Sequence, residues 1–499
     1  SIILNEVKVE SYAESEWPYS MVNSSPPLLR FDCNGQNHLM INVEEEMENK
    51  TELIRVEDGA KCKVLIRSGH VLNFTLLHSM MLHNGTRIEV NIVSQAGIND
   101  LKKTGEEDFQ LFPKCYFTTL LAHLDVDTVY SNKMTPKRKA LDWLLSDKSS
   151  YSECDNPFFI ERYALAASYY SMLGNLTLPI DLPDGMKSHE SQCIWPFVTC
   201  SSGHVVTLNL NGNQFSGTIP TELAMMTKLT SLALFYNQLS GTIPTELGIM
   251  TKLEYLALNR NQLSGTIPTE LGIMTKLEYL NFYGNQLNGT IPTELRKMTN
   301  LSSLALYGNQ LSGTIPTELA MMTKLTSLDL ADTQLSGTIP TELGMMTNLE
   351  YLDFYGNQLS GTIPTELGTI SNLEDLYLAD NQLSGTIPTE LVKLTEFGTM
   401  TNLKYLSLYG NPLSGTIPRE LGNMTNLASL YLADNQLIGT IPTELGKMTN
   451  LEDLDLSDNQ LNGTIPTELG KMTKLTALAL ADNQINGTIP TELGIDDES

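Results

Sequence analysis

A nine-residue phrase, Leu-Ser-Gly-Thr-Ile-Pro-Thr-Glu-Leu or a near copy, recurs twelve times between Phe215 and Leu493 of this 499-residue chain. Successive copies lie 24 residues apart, except for one interval of 30 residues. A fixed period of this length is typical of a solenoid, in which one supersecondary unit stacks on copies of itself. A solenoid presents long regular surfaces and no deep central pocket, so the period favours binding or assembly as the function.

The repeated unit has an apolar frame that predicts one short strand per repeat. In the second repeat, Leu229, Leu232, Leu234 and Leu239 occupy the positions expected to point inward. The strict alternation around Leu232 and Leu234 is typical of a strand. Stacked copies of that strand predict a parallel sheet along one face of the solenoid.

The turn after the strand carries an asparagine in nearly every repeat, for example Asn237. We expect its side chain to bond the backbone groups that the bend leaves unpaired, because buried backbone groups need partners. The sixth repeat has Thr333 there, which predicts a local weakness. Beyond the Ile-Pro pair, Thr221 is expected to cap a short helix, with Glu222 near its positive end.

The 24-residue unit with its Leu-x-Gly-x-Ile-Pro signature resembles the plant-type leucine-rich repeat of receptor-kinase ectodomains and polygalacturonase-inhibiting proteins. The segment from Cys193 to Cys200, with Trp195 inside it, is similar to the paired-cysteine N-terminal cap of those proteins, which have glycine in place of Phe197. Residues 140–145 and 162–170 are similar to segments that precede the repeats in diatom and algal proteins. The resemblance covers residues 135–499.

This resemblance implies an α/β fold: a leucine-rich repeat solenoid of twelve repeats with its parallel sheet on the concave face. It implies repeats over 204–499, a helical cap over 131–203 and a disulfide between Cys193 and Cys200. It also implies recognition of an extracellular ligand by the concave strand face. Helices are predicted at 140–145 and 157–173.

Residues 1–130 lie outside this resemblance, and their pattern predicts a separate β-rich domain. Strands are expected at 38–43, 64–66, 71–77, 86–93 and 115–121. All six cysteines precede the repeats, which favours disulfides over scattered thiols. Cys33 with Cys62 and Cys115 with Cys154 are plausible pairs, although spacing does not determine connectivity.

Asn-x-Ser/Thr sequences and cysteines together favour a secreted or cell-surface glycoprotein. The chain begins with Ser1 and not Met, which fits a mature chain after signal removal or an excised fragment. The candidate glycosylation sites are Asn23, Asn49, Asn73, Asn84, Asn175, Asn288, Asn300, Asn423, Asn462 and Asn486.

The net charge of −27 argues against a nucleic-acid partner, because binding phosphates requires a basic surface. No apolar run is long enough to span a bilayer. All seven histidines and all six cysteines lie at or before the first repeat, so no catalytic His or Cys constellation can form within the array. We expect a protein that is not an enzyme and has no metal centre.

The outward strand positions are rich in tyrosine and aspartate. Tyrosine supplies a large, stiff contact area with a polar tip, which suits a protein or glycan ligand. Arg260 is the one strong cation among these positions. The predicted ligand-binding residues are Tyr255, Tyr279, Tyr283, Tyr307, Asp329, Tyr351, Asp353, Tyr355, Tyr377, Tyr405, Tyr409 and Tyr431. Beyond the strand positions, one further set of tyrosines is read as alternating with a set of aspartates. The tyrosines are Tyr283, Tyr307, Tyr355 and Tyr409, and the aspartates are Asp332, Asp380, Asp434, Asp458 and Asp482.

Three alternatives remain open at this stage. The strand face could be drifted surface that recent duplication has copied. The aspartates could coordinate calcium, although no calcium-loop motif is present, so no cofactor is expected. The protein could also be a structural subunit that binds copies of itself in an extracellular fibre, sheath or adhesive. The six extra residues near 394–398 predict a loop, either a docking site or tolerated slippage.

Overall fold

The computed structural model describes residues 135–146, 158–173, 191–391 and 402–494, together with the backbone of seven strands between residues 8 and 94. Contacts divide the chain into two compact units, residues 1–157 and 158–499. The domain boundaries expected at 130/131 and 203/204 therefore stay predictions. The predicted strand at 115–121, the pair Cys115 and Cys154, and the insertion near 394–398 lie outside the described residues.

The first unit contains two small sheets. The four-stranded sheet has the order Lys8–Tyr12, Cys62–Arg67, Leu29–Cys33 and Gln36–Ile41. The three-stranded sheet has the order Glu52–Ile54, Ile88–Ser94 and Phe74–Ser79. In the first sheet, the backbone register places Cys33 opposite Cys62.

Two α-helices lie in the described part of the chain. Helix α1 spans Pro136–Ser146, and the Thr135 hydroxyl accepts a hydrogen bond from the Arg138 amide at 3.2 Å in its first turn. Helix α2 spans Phe159–Leu173. Both helices agree with the predicted segments. Helix α2 is buried on nearly every side, whereas its sequence pattern suggested one apolar side.

A cap precedes the first repeat. It contains a 3₁₀ helix at Gln192–Ile194 and the strand Val198–Ser201, which pairs antiparallel with the first repeat strand His204–Asn209. The Cys193–Cys200 disulfide joins the two halves of the cap. The cap therefore covers the edge of the sheet that no earlier repeat protects.

Aromatic rings continue that cover into the core. Trp195 is 1% exposed and lies edge-on to Phe197, which stacks on Tyr169 of α2 at 6.1 Å. Tyr169 in turn lies edge-on to Phe215 of the first repeat at 5.7 Å. The carbonyl of Met172 accepts hydrogen bonds from the Ser216 and Gly217 amides, both at 3.0 Å. Helix α2 thus supplies acceptors that a preceding repeat supplies elsewhere in the array.

The main sheet contains twelve parallel strands, one for each predicted repeat, plus the antiparallel cap strand. Its order follows the chain without a break, and the pairing of Asp375 with Tyr405 carries it across the 30-residue interval. After His204–Asn209, the strands are Ser231–Ala233, Tyr255–Ala257, Tyr279–Asn281, Ser303–Ala305, Ser327–Asp329, Tyr351–Asp353, Asp375–Tyr377, Tyr405–Ser407, Ser429–Tyr431, Asp453–Asp455 and Ala477–Ala479.

A second set of parallel strands follows the asparagine turn. The sequence pattern predicted the turn but not these strands. The set forms a seven-stranded sheet and, after the long interval, a four-stranded sheet. The first contains Ser240–Thr242, Gln262–Gly265, Gln286–Gly289, Gln310–Thr314, Gln334–Gly337, Gln358–Gly361 and Gln382–Leu383. The second contains Ser414–Thr416, Gln436–Thr440, Gln460–Gly463 and Gln484–Ile485.

Short 3₁₀ helices complete each repeat. The prediction that Thr221 caps such a helix is wrong: Pro220 occupies the cap position and Thr221 is the first helical residue. The threonine hydroxyl lies 3.4 Å from a carboxylate oxygen of Glu222 and caps no amide. The helices are Thr221–Met225, Thr245–Ile249, Thr269–Ile273, Thr293–Lys297, Thr317–Met321, Thr341–Met345, Thr365–Thr369, Thr389–Leu391, Arg419–Asn423, Thr443–Lys447, Thr467–Lys471 and Thr491–Leu493.

The core confirms the predicted frame. Leu229, Leu232, Leu234 and Leu239 are all 0% exposed, and Ile243 is 2% exposed. Burying a leucine side chain contributes roughly 1.5–3 kcal/mol. Each repeat buries these side chains against the next one, so the core is a continuous column and no repeat has a complete core of its own.

A ladder of buried asparagines holds the turn of each repeat to the repeat before it. Asn261 Oδ1 accepts from the Leu239 amide at 3.0 Å, and its Nδ2 donates to the carbonyls of Leu234 and Leu258, both at 3.0 Å. This confirms the predicted role. Equivalent bonds are made by Asn237, Asn285, Asn309, Asn357, Asn381, Asn411, Asn435, Asn459 and Asn483.

Thr333 interrupts this ladder in the sixth repeat. Its hydroxyl lies 3.2 Å from the Leu330 carbonyl and 2.6 Å from Asn357 Oδ1. It makes neither of the bonds that an asparagine would make to Leu306 and Leu311 of the preceding repeat. The interruption predicted from the sequence is therefore confirmed as the loss of two inter-repeat bonds.

The substitution Thr333→Asn should raise the free energy of unfolding by about 1–2 kcal/mol, because it restores two buried hydrogen bonds. Asn381→Thr should lower it by a similar amount, because it opens a second gap. Urea unfolding followed by circular dichroism measures both changes. Equal stability of the two variants would contradict the stabilising role of the ladder.

Candidate functional site

Four columns of side chains form the outward side of the main sheet, which we call the strand face. The strand register defines the first two columns. The first runs through Tyr255, Tyr279, Ser303, Ser327, Tyr351, Asp375, Tyr405, Ser429, Asp453 and Ala477. The second runs through Ala233, Ala257, Asn281, Ala305, Asp329, Asp353, Tyr377, Ser407, Tyr431, Asp455 and Ala479.

The third and fourth columns are the two residues immediately before the turn asparagine. Where the third column holds tyrosine, as at Tyr283, the fourth holds glycine, as at Gly284. Where the third column holds Ala331, the fourth holds Asp332. The sequence pattern suggested that these tyrosines and aspartates alternate at one position of the repeat. This expectation is wrong, because the tyrosines occupy the third column and the aspartates occupy the fourth.

The backbone explains the choice of residues in the fourth column. All of its described residues from Gly212 to Asp482 have a positive φ, for example 64° at Gly284 and 47° at Asp332. Glycine adopts this region freely, and aspartate tolerates it because its short side chain bonds locally. Tyr236 at 54° and Arg260 at 53° are the only bulky side chains in this column.

The twelve predicted ligand-binding residues all lie on the strand face. Tyr255, Tyr279, Tyr351 and Tyr405 belong to the first column, and Asp329, Asp353, Tyr377 and Tyr431 belong to the second. Tyr283, Tyr307, Tyr355 and Tyr409 belong to the third. The register of the sheet thus brings residues that are far apart in the chain into one surface.

Two pairs of tyrosines that are adjacent in one column stack on one another. The rings of Tyr255 and Tyr279 are 4.6 Å apart and within 4° of parallel, and those of Tyr283 and Tyr307 are 4.3 Å apart and within 5°. These separations are close to the spacing of adjacent strands. Each ring therefore covers one face of its neighbour, and the pair presents mainly ring edges and hydroxyl groups outward.

Two aspartates of the second column are partly buried side by side. Asp329 accepts a hydrogen bond from the Ala331 amide at 3.2 Å, and Asp353 accepts from the Tyr355 amide at 2.9 Å. The Tyr351 hydroxyl donates to Asp353 at 2.8 Å. These bonds orient the carboxylates at the end of the strand.

Burial raises the pKa of Asp329 to about 7, and the charges of Asp353 and Asp332 act in the same direction. Burial likewise raises the pKa of Asp353. Burial and the neighbouring Asp353 also raise the pKa of Tyr351. Both carboxylates are therefore more basic than an ordinary aspartate. A proton or a bound cationic group would relieve the cost of holding two charges side by side.

Arg260 lies over the rings of two tyrosines at the other end of the strand face. Its guanidinium carbon is 4.8 Å from the centroid of the Tyr236 ring and 5.2 Å from that of the Tyr283 ring. Its Nε donates to the Tyr283 hydroxyl. These residues, with Gln214 and others, line a shallow cleft of about 550 Å³ that is widely open to solvent. Arg260 is not among the residues predicted to bind a ligand. The signal that could have identified it is a bulky residue at a position where most repeats have glycine or aspartate.

Four candidate glycosylation sites, Asn288, Asn423, Asn462 and Asn486, are exposed. Asn300 is partly buried and its Nδ2 donates to the Thr275 carbonyl at 2.8 Å. The other five sites lie outside the described residues. Glycosylation of any of them stays a prediction.

In the ranges that the structure describes, no group of three or more His, Cys, Asp or Glu side chains is arranged to hold a metal ion. Neither α1 nor α2, nor any other helix described, is long and apolar enough to cross a bilayer.

The sequence profile named Leucine Rich Repeat matches ten segments between residues 204 and 472. The repeat region is a leucine-rich repeat domain. The matched segments are 204–226, 252–274, 276–298, 300–322, 324–346, 348–370, 372–394, 402–424, 426–448 and 450–472.

Solved structures of plant receptor ectodomains are similar to this chain. The PEPR1–AtPEP1 structure is 36% identical with a TM-score of 0.58, covering 62% of this chain and 43% of its own. The Arabidopsis receptor kinase HAESA ectodomain, solved with an extended IDA peptide hormone ligand, is 34% identical with a TM-score of 0.56, covering 62% and 51%. HAESA with IDA and the co-receptor SERK1 is 32% identical with a TM-score of 0.57, covering 67% and 55%.

The chain thus spans about half the length of the receptor ectodomains that it matches. No curated protein matches it. These comparisons show that the repeats are leucine-rich repeats similar to those of plant receptor ectodomains.

The raised pKa of Asp329 predicts a specific pH dependence of stability. The folded state holds the Asp329 proton more tightly than the unfolded state does. Protonated Asp329 therefore contributes to the free energy of unfolding in full below about pH 4, and this contribution is lost as the pH rises to about 7. Besides Asp353 and Asp332, the phenols of Tyr307 and Tyr351 interact with this carboxylate.

Asp329→Asn should therefore stabilise the protein by about 1–2 kcal/mol at pH 8, and the gain should disappear near pH 4. Asn281 already occupies the same column and accepts the Tyr283 amide at 3.1 Å, so asparagine is compatible with this position. Urea unfolding of both proteins at the two pH values provides the measurement. A gain that is independent of pH would show that burial of the charge at Asp329 is not the cause.

Proposed function

We propose that this protein is a non-enzymatic extracellular leucine-rich repeat protein that binds a polypeptide ligand through its strand face. The observation that carries the proposal is the continuous Tyr and Asp surface over repeats three to eleven. Aromatic residues are enriched where proteins bind partners, and tyrosine adds contact area at a small entropic cost.

Three observations support an extracellular location. A disulfide joins Cys193 and Cys200, and disulfides persist mainly in oxidising compartments. Four candidate glycosylation sites of the repeat region are exposed. HAESA, to which this chain is similar, is described as a receptor kinase whose leucine-rich repeat ectodomain was solved with a peptide hormone ligand.

The arrangement of the tyrosines in repeats three to five favours a polypeptide over a glycan. Sugars bind proteins largely by stacking on exposed aromatic faces, whereas Tyr255 and Tyr279, and likewise Tyr283 and Tyr307, cover one another's faces. Ring edges and hydroxyls remain available, and these suit the amide groups and side chains of an extended polypeptide. The aspartates of the later repeats add acceptors for amides and cationic side chains.

Simultaneous replacement of Tyr279, Tyr283, Tyr351 and Tyr355 by Ala should reduce capture of the native ligand at least about tenfold, since each aromatic anchor is worth about 1 kcal/mol or more. Quantitative mass spectrometry of proteins cross-linked from the extracellular fluid of the source measures the change. Circular dichroism and thermal unfolding check that the variant remains folded.

A matched control is available on the helical side of the repeats. Ile249, Ile273, Met321 and Met345 are 54%, 46%, 56% and 57% exposed, and their replacement by Ser removes a comparable number of large side chains. Capture should be unchanged in this control. The proposal fails if the control loses the ligand and the tyrosine variant retains it.

Self-association in an extracellular assembly is the second candidate function. The specific observation in its favour is this row of exposed Ile and Met side chains, because repeated exposed apolar residues promote association between proteins. Light scattering over a range of concentrations distinguishes the two functions. A molar mass that rises with concentration, and that stays monomeric when these Ile and Met residues are replaced by Ser, would favour assembly. A monomer mass at every concentration would favour ligand binding.

A further inference from the structure

We propose that the cleft around Arg260 binds an acidic side chain or carboxylate of the polypeptide ligand. This inference rests on the proposed function and adds a chemical requirement to it. The cleft has a volume of about 550 Å³ and includes Tyr236, Tyr283, Gln214 and Gln238 in its lining.

The geometry leaves the edge of the guanidinium available. The rings of Tyr236 and Tyr283 lie 4.8 and 5.2 Å from Arg260 Cζ, and Nε donates to the Tyr283 hydroxyl. Arg260 is nevertheless exposed. Its terminal N–H groups therefore remain for an incoming acceptor, and two parallel N–H groups match the two oxygens of a carboxylate.

The charge distribution of the strand face makes this cleft the place where an anion can bind. The four columns of the first five repeats contain no acidic residue, and Arg260 is their one charged group. From Asp329 onward the same columns carry ten aspartates. A carboxylate on the ligand is therefore repelled by the later repeats and attracted to the third repeat.

Three residues that line the same cleft have a left-handed backbone although they are neither glycine nor aspartate. Tyr236 and Arg260 have left-handed φ values of 54° and 53°, in a column that holds glycine or aspartate in the other repeats. Gln214, which also lines the cleft, has a φ of 59°. Bulky residues in this region are unfavourable and cluster at functional sites. Glycine suits this left-handed backbone better than arginine, so the fold itself does not require arginine at position 260.

The test uses the full chain and a phage-displayed library of short random peptides. Peptides enriched on the wild-type protein should share an acidic residue, and their affinity should fall at least about tenfold on the Arg260→Gln protein. Arg260→Gly should show the same loss while remaining folded, because glycine suits the left-handed backbone. Arg419→Gln, which removes an exposed arginine from the helical side, should leave binding unchanged.

A charge swap separates direct contact from a structural role of Arg260. The Arg260→Glu protein should reject the acidic peptides and should regain binding when their acidic residue is replaced by Lys. A purely structural arginine would not produce this rescue. Enriched peptides that lack a shared acidic residue, or that bind equally well after Arg260→Gln, would overturn the inference and leave the proposed function standing.

Oligomers of glucuronic acid provide the second arm, because they present the same carboxylate on a sugar. Binding of these oligomers that requires Arg260, without any Arg260-dependent peptide, would assign the cleft to an acidic carbohydrate and refute the polypeptide ligand. A library that yields no binding peptide at all would count against both the inference and the proposed function.

Discussion

The buried asparagine of each turn is the contact on which the regularity of this domain depends. Its amide group satisfies carbonyls of its own repeat and of the preceding one, and its carbonyl accepts an amide from the preceding repeat, as at Asn261. The bend that permits this requires the residue before it to adopt a left-handed backbone, as Arg260 does. One polar side chain thus fixes the stacking of the repeats. It also restricts the preceding position to residues that tolerate a left-handed backbone.

The strand face follows from that stacking. Because neighbouring repeats are held in register, identical positions fall in columns at the spacing of adjacent strands. Tyrosines in a column stack, as Tyr283 and Tyr307 do at 4.3 Å. Aspartates in a column share a partly desolvated surface, and the pKa of Asp329 is raised to about 7 as a result. The same geometry therefore produces a stiff aromatic surface in some repeats and a proton-retaining acidic surface in others.

The ends of the face differ in a way that a simple repeat would not predict. The cap completes the first repeat through Trp195, Tyr169 and the Met172 carbonyl, which take the place of a preceding repeat. Their columns are neutral apart from Arg260, whereas the later repeats are acidic. A ligand that lies along the face consequently meets a cation between aromatic rings at one end and carboxylates towards the other. This polarity gives the surface a direction despite its near-identical repeats.

The sequence by itself determined the solenoid, its repeat number, the inward leucines, the asparagine ladder and the weak position at Thr333. These follow from period and local chemistry, because a residue that recurs every 24 positions meets its own copy. The cap disulfide and the twelve tyrosines and aspartates of the face were also predictable. Only the tertiary structure decided the second set of strands, since short polar segments carry no clear strand pattern. It also decided that Thr221 is not a cap, which ring faces remain open, and that Arg260 lies between Tyr236 and Tyr283. Those features depend on distances and backbone angles between repeats, which the order of residues along one chain does not specify.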